Sequence, residues 1–359
     1  MVADIFMLSR APAFLAEHMI LHVPDSRWAI ILICLLTGLI SALVENVATL
    51  LLIAPVALSL SERLEIDPVP LLIAIAISSN LQGTATLVGD PPSMLLAGFA
   101  RMSFNDFFFF QGKPSIFFAV ELGAVFSLFV LFFLFRKEKK AVNIVPHEKV
   151  TSWTPSWILI LLIICLAASS SFNQKLNAFL PGVLCMIFGG ISLVWLFFQK
   201  MDLLASLKRL DWDTTLFIIS IFILVGILVQ EGWMEVLAEF IHQQAGSSKL
   251  GVYILLIIVA MLFSAFIDNI PFIIVMMPVV KSISAKGGFP LLLLLFGLLI
   301  GSCIGGNITP VGASANIVAT GILQKRGEKV SFGRFISIGL PFTLAAVIPA
   351  AVFIWIFWA

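Results

Sequence analysis

Apolar stretches of membrane-crossing length, separated by short polar breaks, occupy most of the chain. Residues 26–44, 115–135, 178–198, 213–230, 250–267 and 335–357 approach the roughly 20 residues that cross a bilayer as a helix. They are apolar on every face rather than along one stripe, which predicts helices that have lipid as part of their solvent. Residues 1–25 differ. They lack the charged start and continuous apolar core of a cleavable leader, and predict an amphipathic segment lying at the interface.

The pattern occurs twice. Ser41-Ala42-Leu43-Val44-Glu45-Asn46-Val47 returns as Ser264-Ala265-Phe266-Ile267-Asp268-Asn269-Ile270. Pro55 with Pro278, Ser79 with Ser302, Gly83 with Gly306, Thr86 with Thr309, Val88 with Val311 and Gly89 with Gly312 keep the same offset. Ser103-Phe104 answers Ser331-Phe332 after a short slip, and Leu15-Ala16-Glu17 answers Leu237-Ala238-Glu239. Polar residues, Gly and Pro matching in one register predict a duplicated unit. The first copy, 1–135, carries a hairpin at 26–61, a broken span at 70–100 and a continuous span at 114–135. A basic linker covers 136–155. The second copy, 156–359, adds spans 156–172, 178–198 and 213–230 and an interfacial segment 231–248 before its own hairpin 250–281, broken span 290–324 and span 335–357. Nothing in the first copy answers those three added spans, so the chain is expected to lack the first scaffold spans of a complete pair.

Charge sets the orientation. Arg136, Lys137, Lys139, Lys140 and Lys149, with Lys200, Lys208 and Arg209, predict cytoplasmic loops at 136–155 and 199–212. Counting spans outward, the first hairpin enters from inside and the second from outside, with Arg101, Lys113, Lys175, Lys249, Lys281 and Lys286 on the outer side. The expected fold is an all-α polytopic membrane protein with two inverted-topology repeats, each holding a re-entrant helical hairpin and a broken transmembrane helix. The expected location is a bacterial or archaeal inner membrane.

Composition agrees: 60% of the 359 residues are hydrophobic and 11% charged, against roughly 25% charged in a soluble domain. The net charge of +1 gives no reason for a nucleic-acid partner. Cys34, Cys165, Cys185 and Cys303 lie in apolar segments without metal-like spacing and read as buried structural thiols. His18, His22, His147 and His242 are scattered, so no metal cluster is expected. Phe107 to Phe110, Trp153, Trp157, Trp355 and Trp358 read as an aromatic belt, and Glu121, inside a span, has no assigned role.

The chemistry concentrates in two stretches. Residues 78–93 read Ser-Ser-Asn-Leu-Gln-Gly-Thr-Ala-Thr-Leu-Val-Gly-Asp-Pro-Pro-Ser, and residues 301–316 read Gly-Ser-Cys-Ile-Gly-Gly-Asn-Ile-Thr-Pro-Val-Gly-Ala-Ser-Ala-Asn. Such runs break a helix midway along an apolar span, where a freed backbone group costs several kcal/mol unless it lines a cavity or binds something. Transporters use such breaks, turning half-helix N-termini toward anions and unwound carbonyls toward cations. Asn80, Thr84, Thr86, Asn307, Thr309, Ser314 and Asn316 offer neutral oxygens and donors suited to Na⁺ or an oxyanion, or to satisfying the broken backbone. Asp90, followed by Pro91, reads as the N-cap that restarts the helix, with proton or cation binding as its other role. Glu45-Asn46 and Asp268-Asn269 put an acid at each hairpin tip. An intramembrane acid is a functional hypothesis by default, so these pairs read as coupling residues or as tip caps.

In these residues the chain resembles the ion transporter superfamily, and within it the arsenite permeases, NhaD-type sodium–proton antiporters and the pigmentation P protein. The acid-Asn tips are matched at 45–46 and 268–269, the Asn-x-Gly-Gly-Thr-Ala-Thr-x-x-Gly-Asp-Pro-Pro-Asn signature at 80–93, and Gly-Ala-Ser-Ala-Asn at 312–316. Gln82 stands for a Gly, Ser93 for Asn, Glu45 for the common Asp, and Pro310 is an addition. The resemblance implies alternating access by hairpins and broken spans moving against the remaining spans. The expectation is therefore a secondary transporter, without enzymatic activity or bound cofactor, that moves a small inorganic or organic anion with H⁺ or Na⁺ as coupling ion. A Na⁺/H⁺ antiporter is the alternative within the same fold. A channel, an intramembrane enzyme and a non-transporting scaffold are the alternatives outside it. The expected partners are the lipid bilayer, the small ion or anion, and a second copy in a homodimer.

Overall fold

The computed structural model describes residues 1–20, 23–140, 149–170, 180–201, 212–245 and 248–359. His22, His147, Lys175, Lys208 and Arg209 lie outside the described residues, as do parts of both loops expected on the cytoplasmic side. Among the described residues the chain is nearly all helix. In order these are α1 (Val2–Leu8), α2 (Ala11–Ile20), α3 (Ser26–Ser41), α4 (Asn46–Leu64), α5 (Pro68–Gly83), α6 (Pro91–Ala100), α7 (Ile116–Leu134), α8 (Thr154–Ser169), α9 (Leu180–Phe198), α10 (Trp212–Gln230), α11 (Trp233–Ala245), α12 (Lys249–Ser264), α13 (Asn269–Gly287), α14 (Leu291–Gly305), α15 (Ser314–Lys325) and α16 (Phe332–Trp358). A two-strand turn, Phe109–Phe110 with Lys113–Pro114, lies before α7. Among the described residues, six helices are long and apolar enough to cross a membrane, and a seventh span is made if α10 and α11, bent by 73° at their junction, are taken together.

The helices start and stop for local reasons. Asp25 accepts the Trp28 N–H at the start of α3, and Asp67 accepts the Val69 N–H at the start of α5. Pro68 at the first position of α5 costs nothing, because that N–H has no helical partner. α14 is apolar on all sides and wholly buried from Leu293 to Gly305, and α5 is buried almost throughout. These two broken helices are the centre of the fold.

Around them the packing is reciprocal. α5 packs on α3 and α4, and α14 on α12 and α13. α6 then crosses to α13 and α14, while α15 crosses to α4 and α5. α7 and α16, the span that closes each copy, pack against one another, with Gly123 against the Ala346 backbone. The second half-helix after each break thus packs on helices around the other break.

Three sequence expectations need correction. Residues 1–20 form two short helices, broken where Arg10 takes a left-handed conformation, and Ile5, Ala11, Ala16 and Ile20 are buried against other helices. Of the thiols, only Cys34 and Cys303 are buried; Cys165 is half-buried and Cys185 exposed, since one face of α8 and most of α9 have no neighbour among the described residues. Phe107 and Trp358 are core residues rather than belt residues. Trp358 meets Phe296 edge-on and donates its indole N–H to Pro114 O at 3.0 Å, so its polar edge is satisfied inside.

Candidate functional site

α5 ends at Gly83 and α6 begins at Pro91; α14 ends at Gly305, continues as a 3₁₀ turn through Ile308, and α15 begins at Ser314. The hairpin tips close over these breaks. Thr86 donates its hydroxyl to Ala42 O, and Thr309 donates to Ala265 O, the same bond in both copies. Each hydroxyl also accepts the N–H two residues on, from Val88 and Val311, at 3.3 Å. Both threonines therefore tie a break to a tip, with donor and acceptor engaged. Gly89 and Gly312 permit the approach. A Cβ on Gly89 would stand 2.9 Å from Ser41 O, and one on Gly312 would stand 2.8 Å from Ser264 O.

Below the tips, Ser41 Oγ donates to Asn46 Oδ1 at 2.7 Å, and Ser79 Oγ lies 2.9 Å from Ser41 Oγ and 3.2 Å from Asn46 O. In the second copy Ser264 Oγ donates to Ser302 O at 2.6 Å. The acids at the tips act as caps: Glu45 accepts the Val47 and Ala48 N–H groups at 3.1 and 2.9 Å, and Asp268 accepts that of Ile270 at 3.0 Å. Ser314 Oγ donates to the other Asp268 oxygen at 3.3 Å, pinning the start of α15 to the second tip.

The two breaks meet through Asn80, Asn307 and Asn316, all buried. Asn80 Nδ2 donates to Oδ1 of Asn307 at 2.9 Å and of Asn316 at 3.0 Å. Asn307 Nδ2 returns a bond to Ile77 O at 3.2 Å, and Asn316 Nδ2 closes the second break on Gly306 O and Thr309 O, both at 3.0 Å. The matching contact runs the other way. Cys303, in register with Asn80, lies beside Thr84, in register with Asn307, and beside Ser302 and Asn269. Thr84 further donates to Asn80 O at 3.3 Å.

Asp90 occupies the N-cap position of α6, as expected, but its side chain caps nothing. The cause is local. Pro91 and Pro92 have no N–H to give, and the Ser93 and Met94 N–H groups bond Asp90 O. The carboxyl is 6% exposed, lies beside the Asn46 side chain, and leaves Oδ2 buried without a partner. The charged groups acting on it are Glu45 and Asp268, one from each tip. An acid from each tip thus adds like charge at Asp90, an arrangement suited to a cation or proton. The second copy has Ala313 in this register, so the first turn of α15 has no side-chain cap and presents the positive end of its dipole.

The structure thus gathers Asn46, Asn80, Thr84, Asp90, Asn269, Asn307 and Asn316 at the crossing of the breaks. It engages Thr86, Thr309, Glu45, Asp268 and Ser314 in fastening the tips. Residues that sequence reasoning passed over also belong here. Cys303 was legible only as the register mate of Asn80. Ser41, Ser79 and Ser93 also lie here, and Ser93 Oγ donates to Thr84 O at 3.3 Å.

Comparison with known proteins extends over the whole chain. A family model described as "Citrate transporter" matches residues 1–291 and 273–359. A 46 kDa membrane protein of Mycobacterium leprae is 34% identical over 332 residues, covering 91% of this chain and 76% of the relative. The human P protein is 29% identical over 394 residues, 88% of this chain and 47% of that protein. Among solved structures, the Alcanivorax borkumensis YdaH transporter superposes with a TM-score of 0.59 over 99% of this chain and 82% of that one, at 13% identity, a likeness of fold alone.

Proposed function

We propose that this chain, which belongs to the citrate transporter family, is a secondary carrier that moves a small anion together with a coupling cation or proton. As a family member it is an integral membrane transporter and not an enzyme. The observation that carries the finer reading is the difference between two breaks that otherwise match. One presents the Asp90 carboxyl, freed by two prolines and left with a buried unpartnered oxygen. The other has Ala313 in that place and an uncapped helix start. The first suits a cation or proton, the second an anion.

Electrostatics supports coupling. An anion entering among Asp90, Glu45 and Asp268 meets like charge in a medium of low dielectric, where repulsion is many times stronger than in water. Cation or proton entry at Asp90 removes that penalty, so the two bind together or not at all. Asn80, Thr84, Asn307 and Asn316 would line the site; Glu45 and Asp268 would hold the tips and add to the field that attracts the cation. Inverted orientation of the copies would expose the crossing to either side in turn as the tips move.

The experiment is uptake of radiolabelled citrate into proteoliposomes under imposed pH or Na⁺ gradients, with phosphate, sulfate, succinate and arsenite as competitors. Uptake driven by either gradient and blocked by a small anion supports the reading. Uptake indifferent to both gradients refutes coupling. A Na⁺/H⁺ antiporter is the second reading, favoured by the three converging acids. It predicts acidification or alkalinisation of the liposome lumen on a Na⁺ pulse with no transportable anion present.

A further inference from the structure

We propose that Glu121 on α7 and Gln82 on α5 form a proton site, in which protonated Glu121 closes a two-bond ring with the Gln82 amide. Gln82 Nε2 lies 3.2 Å from Glu121 Oε2 across 39 residues of sequence. Gln82 is 8% exposed, and its Oε1 is buried without a partner. A carboxylate leaves that oxygen stranded, because it has no proton to donate. A carboxylic acid does not: its carbonyl oxygen keeps the Nε2 bond while its hydroxyl turns to Oε1. Amide and acid are then complementary, one donor and one acceptor on each. The proton comes from water at the aqueous boundary and binds one Glu121 oxygen; no other bond is made or broken. Glu121 otherwise sits in a helix of Phe, Leu, Val, Ala, Ile, Gly and Ser, where a lone charge is costly.

Among the described residues, no charged side chain competes for Glu121 from the helices that pack most on α7. α3, α5 and α16 pack on α7. α5 carries no Asp, Glu, Lys, Arg or His, and Glu121 is the only such residue on α7. On α3, Arg27 sits 3.4 Å from Asp25 and lies over the Phe132 ring, roughly 16 Å of helix away from Glu121. Cys34 of α3 lies beside Ser78. Arg334, on the first turn of α16, pairs with Asp67, while it is the last turn of α16 that meets the chain ahead of α7 through Trp358 and Pro114.

Position gives the pair a use. Gln82 is the last residue before Gly83, where α5 breaks, and a Cβ on Gly83 would stand 3.0 Å from Asn46 Cγ. Asn46 in turn lies beside Asp90. Losing the proton opens the ring one residue from the break and two contacts from Asp90. The proton site thus deepens the coupled-carrier reading, but its existence requires only the membrane fold.

The test is infrared difference spectroscopy of the full chain in lipid bilayers during a pH titration, comparing wild type, E121Q, Q82L and D90N. A protonated-carboxyl band that titrates in wild type, disappears in E121Q, moves in Q82L and survives in D90N is the expected result. A spectrum unchanged by E121Q overturns the proposal, as does a band that Q82L leaves where it was. Should E121Q not fold, the Q82L comparison decides alone. The bands are read without transport, so they stand or fall separately from citrate uptake. In liposomes that take up citrate, E121Q flattens the pH dependence of uptake.

Discussion

Asn80 Nδ2 stands 2.9 Å from Asn307 Oδ1, a contact that spans 227 residues and joins the break of one copy to the break of the other. Both residues are buried, and the same nitrogen also serves Asn316 at 3.0 Å. Removing one partner from such a set leaves buried acceptors unsatisfied, at about 1–3 kcal/mol each. Asn80→Ala should lower the thermal stability of the purified protein and abolish uptake. Residues in direct contact couple by about 0.5–3 kcal/mol in a double-mutant cycle. Strict additivity of Asn80→Ala and Asn307→Ala in stability would mean the breaks are not joined this way.

The three acids at the crossing should separate by role. Asp268→Asn keeps an oxygen for the Ile270 N–H, and Glu45→Gln keeps one for either the Val47 or the Ala48 N–H, so uptake slows but still follows the imposed gradient. Asp268→Ala loses the cap, at about 1 kcal/mol. Asp90→Asn removes the one carboxyl not used as a cap, so uptake should fall to background and gradient dependence vanish. Proteoliposome flux at matched protein density checks all four, and loss of gradient dependence in Glu45→Gln with none in Asp90→Asn would reverse the assignment.

Gly312→Ala and Gly321→Ala make a sharper pair than either alone. The new Cβ at Gly312 lands 2.8 Å from Ser264 O, whereas at Gly321 nothing lies within 4 Å. Overpacking at the first costs about 1–3 kcal/mol, while Ala at the second, inside α15, gains up to about 1 kcal/mol in helix propensity. Thermal melts in detergent should move in opposite directions. Gly89→Ala should behave like Gly312→Ala.

At the far ends of the half-helices, Arg326 and Glu62 lie 2.5 Å apart, and Arg334 pairs with Asp67. Both pairs join the α4–α5 turn to the chain around the α15–α16 turn. They are substantially exposed, so each should contribute no more than about 1 kcal/mol, screened by salt. Arg326→Glu should weaken stability at low salt, and adding Glu62→Arg should restore it. A deficit that persists in high salt would assign Arg326 a role beyond this pair.

The all-helical membrane fold was legible because apolar runs of spanning length leave few alternatives, and the breaks because Gly, Thr and Pro have no business inside such runs. Which oxygens are already spent was not legible. Thr86 and Thr309 look like ligand groups in one dimension, and only the folded chain brings Ala42 O and Ala265 O to them. Asp90 shows the reverse. Its failure to cap follows from Pro91 and Pro92, which stand in the sequence, and reading both prolines rather than one would have freed the carboxyl. Glu121 announced itself as an intramembrane acid but had no visible partner, since Gln82 reaches it across 39 residues. The packed faces of Phe107 and Trp358 depend on helices far away in sequence, so their belt-like composition misled.

The central claim is that two breaks of unlike chemistry bind an anion and its coupling ion together. The most direct measurement is citrate binding to the purified chain in detergent, by calorimetry, as Na⁺ and pH are varied in wild type and Asp90→Asn. The account predicts that citrate affinity rises with Na⁺ or with protons in wild type and is indifferent to both in Asp90→Asn. Citrate affinity that is insensitive to Na⁺ and pH in wild type, or that keeps its full dependence in Asp90→Asn, would contradict it.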